Sequence, residues 1–99
     1  MSFEQRVREE ARLIILRTLA EQIDGRLNSA LLRDHLVTFG ITKAREWVHQ
    51  ELRYLAEMGA ITLVDVTSVK VACITTLGQQ HVAREALIEG VKRPSQPSA

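Results

Sequence analysis

The sequence predicts one small α+β domain, mainly helical, with a single β-hairpin. Three observations carry this. Apolar residues recur at helical spacing through the first 58 positions. The period drops to two between Ile61 and Ile74, and it returns to helical after Thr76. The predicted order is helix, helix, helix, strand, strand, helix, and 99 residues hold one domain of that size.

The first helix is placed at 3–22. Ser2, with Gln5 three residues on, forms a capping box. One stripe runs through Phe3, Val7, Ala11, Ile14 and Ile15, and a second through Leu13, Leu16, Ala20 and Ile23. A helix so broadly apolar is either central in the core or part of a subunit contact. Gly25 ends it.

Asn28 and Ser29 offer the N-cap of a second helix at 29–39, carrying Leu31, Leu32, Leu36, Val37 and Phe39 and stopped by Gly40. Thr42 is the N-cap residue of a third helix at 42–58. Its core face is Ala44, Val48, Leu52, Leu55 and Met58, and Gly59 is its stop. Two helices joined by a few residues with a glycine make a helix-turn-helix. Runs 61–66 and 69–74 are rich in β-branched residues and alternate, with Thr67-Ser68 as the turn. Thr76 and Gln79 form a second capping box for a fourth helix at 76–89, with Val82, Ala83, Ala86 and Leu87 as its stripe and Gly90 as its stop. The domain is thus 1–90. Residues 91–99 hold both prolines and two serines and are expected to be a flexible tail, frayed from Ser95.

Composition narrows the functions. Thirteen basic residues against twelve acidic give +1, less than a protein held mainly by phosphate attraction usually carries. The lone Cys73 makes no internal disulfide and is expected to be a small buried hydrophobe. No apolar run approaches a membrane span or a leader, so the expected address is cytoplasmic, with no membrane partner. His35, His49 and His81 lie far apart in sequence, and His81 with Glu85 reads as a surface pair on the fourth helix, so no metal or other cofactor is expected. No Gly-rich phosphate loop, nucleophile elbow or His-Glu metal motif is present, which points away from an enzyme and from a small-molecule site.

The stretch from Leu52 to Ile61, LRYLAEMGAI, resembles the end of the recognition helix and the start of the wing in MarR-like, PadR-like and ArsR-like regulators. Ile74-Thr75-Thr76-Leu77-Gly78 is similar to the strand-to-helix corner closing that wing. The resemblance spans about 11–87 and implies a winged helix-turn-helix. Trp47 early in the third helix and Gly90-Val91-Lys92-Arg93-Pro94 near the end also look like small winged-helix proteins of Mu-like phages and prophages, implying a phage or prophage accessory protein.

In such a fold the third helix enters the major groove. Arg45, His49 and Gln50 are the candidates for base edges, since Arg grips guanine and Gln grips adenine. Lys43 and Arg53 suit phosphate, the Ser29 and Thr42 hydroxyls assist unless used as caps, and Lys70 is the cation of the wing. The expected partner is double-stranded DNA, read by a dimeric transcriptional regulator. Against this stand five basic and four acidic residues across 25–60, and a wing whose only charges are Asp65 and Lys70. A protein-interaction module, such as a phage assembly or packaging accessory, therefore stays open. Trp47 is either packed at the core edge or an aromatic anchor for a partner. Because Ile15, Leu16, Leu19 and Ile23 do not easily all point inward, a homodimer through helices 3–22 and 76–89 is expected.

Overall fold

A computed structural model of the chain describes residues 2–95. Along them run α1 (Phe3–Ala20), β1 (Arg26–Asn28), α2 (Ser29–Thr38), α3 (Arg45–Glu57), β2 (Ile61–Val66), β3 (Val69–Ile74) and α4 (Thr76–Val82). The fold is α+β: four helices and an antiparallel sheet of order β1-β3-β2.

α1 starts where Ser2 Oγ accepts the Gln5 N–H at 3.0 Å. It is the central helix. Ala11, Leu13, Ile14, Ile15, Leu16 and Leu19 are all buried, because the other three helices, β1 and β3 pack around it. The apolar excess that suggested a second copy along this helix is therefore consumed within the chain. Ile23 lies beyond the helix end and is fully exposed.

β1 was not expected. Its three residues add an outer strand to β3, with Leu27 opposite Ala72, and three residues are too few to show a period. Asn28 then caps α2, its side chain accepting from the Leu31 N–H at 2.9 Å. Leu32 and Leu36 are the buried face of α2.

α3 is shorter than expected at its start. Its N-cap is Ala44, with no side-chain cap bond, and Thr42 is exposed in the preceding extended stretch. Two other features fix the start. Arg33 Nε donates to the Lys43 carbonyl at 2.7 Å, and Val48, Leu52 and Leu55 are fully buried against the neighbouring elements. Ala44, expected in the core, is exposed as the cap.

The hairpin keeps the expected limits, with Ile61 opposite Ile74 and Val66 opposite Val69. Ile61, Ala72 and Ile74 face the helices and are buried. Thr62, Val64 and Val66 fall by alternation on the outer face with Val71 and Cys73. Cys73 is accordingly half-exposed, not buried as expected.

α4 ends at Val82, well short of 89. Thr75, not Thr76, caps it, accepting from the Gly78 N–H at 3.2 Å and donating to the Gly59 carbonyl at 2.6 Å. Past the helix, Arg84 takes a positive φ of 64° and the chain turns back. His81, fully buried, organises that return: its Nδ1 accepts from the Ile88 N–H at 3.1 Å, so its hydrogen sits on Nε2 and donates to the Lys92 carbonyl at 2.9 Å. Ile88 and Val91 are buried as a result, while Leu87 is exposed. Residues 91–94 are thus a packed strap, not a free tail: the Lys92 N–H donates to the Glu9 carbonyl at 3.2 Å and Arg84 Nη1 to the Pro94 carbonyl at 2.6 Å. Ser95 is exposed, and the rest of the expected frayed end lies outside the described residues.

Candidate nucleic-acid interface

Opposite the buried face of α3, Glu46, Gln50, Arg53 and Glu57 form an exposed stripe at spacings of four, three and four, with Arg45 beside it. Of the residues expected to meet a duplex, Arg45, Gln50 and Arg53 do face solvent. Arg53 Nη2 lies 3.1 Å from Glu46 Oε1, and that hydrogen bond holds the Glu46 carboxyl below its ordinary range. Arg45 borders a shallow cleft of about 280 Å³ with Ala30, Arg33, Asp34 and Val69. Thr42 is exposed, and Lys43 is half-buried with its ammonium 5.4 Å from the Trp47 ring centre.

Three expected residues are instead joined in an internal lock. His49 Nε2 lies 2.8 Å from Ser29 Oγ, and that oxygen accepts the Lys70 N–H at 3.0 Å. Ser29 and His49 are buried, so neither reaches a base or a phosphate. Position 49 borders Val48 and Leu52, and the packing turns its side chain toward α2 and β3. Burial, reinforced by the charge of Lys70, pushes the imidazole pKa below its ordinary value. The Lys70 ammonium pairs with Asp65 on β2 and holds that carboxyl low.

Sequence reasoning missed a second polar cluster. Glu51, one of the four acidic residues across 25–60, is 1% exposed. Its carboxylate is gripped by Arg8 and by Arg12, whose Nε is 2.7 Å from Oε1. Arg12 also donates from Nη1 to the Gly90 carbonyl at 2.7 Å and lies 3.7 Å above the Tyr54 ring centre, while the Tyr54 hydroxyl donates to the Glu89 carbonyl at 2.7 Å. A Cβ on Gly90 would collide with that hydroxyl, so this position needs glycine for space as well as for its φ of 81°. The signal was present: Glu51 interrupts the 48, 52, 55 stripe, and Arg8 and Arg12 sit four apart on the helix that packs against it.

Trp47 packs against the core edge and lies between two cations, with the Arg8 guanidinium 5.1 Å from its ring centre and Lys43 also within reach. His81 and Glu85 do not pair on α4, because the helix ends between them. Among the described residues no three His, Cys, Asp or Glu side chains are grouped to hold a metal, and no helix is long and apolar enough to cross a membrane.

No protein-family model and no solved structure matches the chain. It is 33% identical over 86 residues to a protein of Escherichia phage Mu described as uncharacterized protein gp26, covering 87% of this chain and 88% of that one. The chain belongs to the family of Mu gp26. A shared span of that length extends far beyond α3 or the hairpin, so the likeness of this gp26-family chain to its relative covers nearly the whole length of both.

Proposed function

We propose that this gp26-family chain is a winged-helix DNA-binding protein, acting as a regulator that places α3 in the major groove. Three features support the fold reading: the order α1-β1-α2-α3-β2-β3-α4, the sheet order β1-β3-β2 and the glycine-containing link 39–44 that joins α2 to α3. One observation carries the functional reading: Arg45, Gln50 and Arg53 stand exposed on a helix locked from behind by buried side chains. Gln50 and Arg45 are then the base readers, and Arg53, Lys43 and Arg33 contact phosphate.

Fluorescence anisotropy with a mixed-sequence duplex tests this. Three or four phosphate contacts predict an affinity loss of roughly 40- to 150-fold between about 50 and 200 mM salt. Arg45→Ala with Arg53→Ala is expected to abolish binding at the higher salt. Absence of binding at low salt overturns the proposal, and binding indifferent to the double variant shows that another face is used.

A protein-interaction module is the second reading. Its support is that Arg45 and Arg53 are balanced by Glu46 and Glu57 on the exposed face, and that the wing's only cation is already paired. This reading predicts no duplex binding at any salt.

A further inference from the structure

We infer that the outer edge of β2 is a homodimerisation surface, on which a second copy pairs antiparallel to make one continuous sheet. This inference goes beyond the DNA-binding reading and stands apart from it. β2 has one ladder neighbour, β3, and six residues of its other edge are left without a strand partner among the described residues. Sheet edges left open in this way are ordinarily blunted by lysine, proline or a bulge. β2 has no lysine, proline or bulge, its register with β3 is unbroken, and its one charge, Asp65, is paired with Lys70 of β3. Its outward-facing positions, normally polar in an antiparallel sheet with one wet face, are Thr62, Val64 and Val66, with Val64 61% and Val66 45% exposed.

The pairing pattern selects both the occupant and the register. The two-residue Thr67-Ser68 link makes Val66 and Val69 a hydrogen-bonded pair. Alternation then leaves the backbone groups of Ile61, Leu63 and Asp65 pointing outward. An extended strand pairs all of them at once, in place of water. A two-fold axis at Val64 places Leu63 of each copy opposite Asp65 of the other, joining outward-pointing groups to outward-pointing groups. The same axis sets Val64 against Val64 and Thr62 against Val66, so matching faces meet. A register one step toward the turn sets Asp65 against Asp65, which like-charge repulsion disfavours. A step the other way sets Asp65 against the buried Ile61 and leaves Val66 without a partner. In the favoured register no two charges of one sign face each other, and Asp65 keeps its own-chain partner Lys70. The strand is thus complementary to itself, which argues for a second copy over an unrelated strand.

Light scattering after size exclusion, run over a concentration series on the full chain, is expected to give a mass approaching twice 11.2 kDa at the higher concentrations. Val64→Lys and, separately, Thr62→Lys keep the solvent-facing position and the far-ultraviolet spectrum. Each is expected to weaken dimerisation at least tenfold. The register has its own readout. At a non-hydrogen-bonded antiparallel pair the Cα atoms lie about 4.5 Å apart, within disulfide reach. In a Cys73→Ser background, Val64→Cys is expected to cross-link under mild oxidation, and Val66→Cys is not. The inference is overturned by a monomeric mass throughout the series, by a dimer that survives both lysine variants, or by cross-linking through position 66 instead of 64. None of these outcomes depends on whether DNA is bound.

Discussion

Glu51 is a carboxylate with almost no water, and it is tolerated because two guanidinium groups meet it. Removing one partner of such a cluster leaves a buried charge uncompensated, which costs about 3–5 kcal/mol. Glu51→Gln, nearly the same shape, is expected to lose stability in that range, read from the urea unfolding midpoint at unchanged slope. His49 sets a dependence on pH. Its folded-state pKa lies below the unfolded value of 6.5, so the unfolded chain binds the proton more readily. The stability held by the neutral ring is therefore complete above about pH 6.5 and is lost as pH falls from there through the lowered folded-state value. Wild-type unfolding free energy is expected to drop between pH 7 and pH 5, and His49→Gln is expected to flatten that drop, as read by denaturation at each pH. Gln50 and Arg53 were legible because helical periodicity alone sets them opposite Val48, Leu52 and Leu55, whereas Arg45, three residues before Val48, is exposed because it opens the helix. His49 was not. It sits at the border of the apolar stripe, where a small rotation of the helix decides between water and core, and one sequence does not fix that rotation.

Among the elements, those with many apolar repeats were legible and those defined by backbone bonding were not. α1, α2, β2 and β3 stand within a few residues of their expected limits. β1 exists because β3 offers it a ladder, a property of the folded neighbour and not of Arg26-Leu27-Asn28 itself. α4 ended early for a related reason: Val82, Ala83, Ala86 and Leu87 have helical spacing, but His81 bonds the backbone of 88 and 92 and draws the chain back. The strap is consequently part of the core. A chain ending at Gly90 loses the buried Val91, worth about 1.5–3 kcal/mol. It also loses the Lys92 bonds to His81 and Glu9, each worth about 0.5–1.5 kcal/mol. Truncation there is expected to lower the unfolding free energy by roughly 2.5–6 kcal/mol, a substantial share of the 5–15 kcal/mol typical of a domain. A truncated chain with unchanged stability would show that the strap is dispensable.

For the whole molecule, the switch from helical spacing to alternation and back was enough to give the α+β class and the order of the long elements. It could not show that the broad apolar stripe of α1, from Ala11 to Leu19, is buried within the chain, since a buried helix and one at a subunit contact carry the same apolar residues. Net charge was equally ambiguous at +1. The structure removes part of the ambiguity by sorting the charges. Arg12 and Glu51 are buried together, Lys70 is tied to Asp65, and Arg53 to Glu46. An attractive field for a polyanion would rest on a few cations around α3, which is why salt dependence and the Arg45/Arg53 double variant discriminate so directly between the two functional readings.

The single tryptophan has a practical consequence. Its indole sits half-sheltered where α1, the link before α3 and the first turn of α3 converge, with a cation from each of the first two near its ring. Whatever draws Lys43 away or loosens the seat of α3 alters the polarity that this chromophore senses. The molecule thus carries its own optical gauge of the segment on which its proposed chemistry depends, readable by intrinsic emission without a dye or a label.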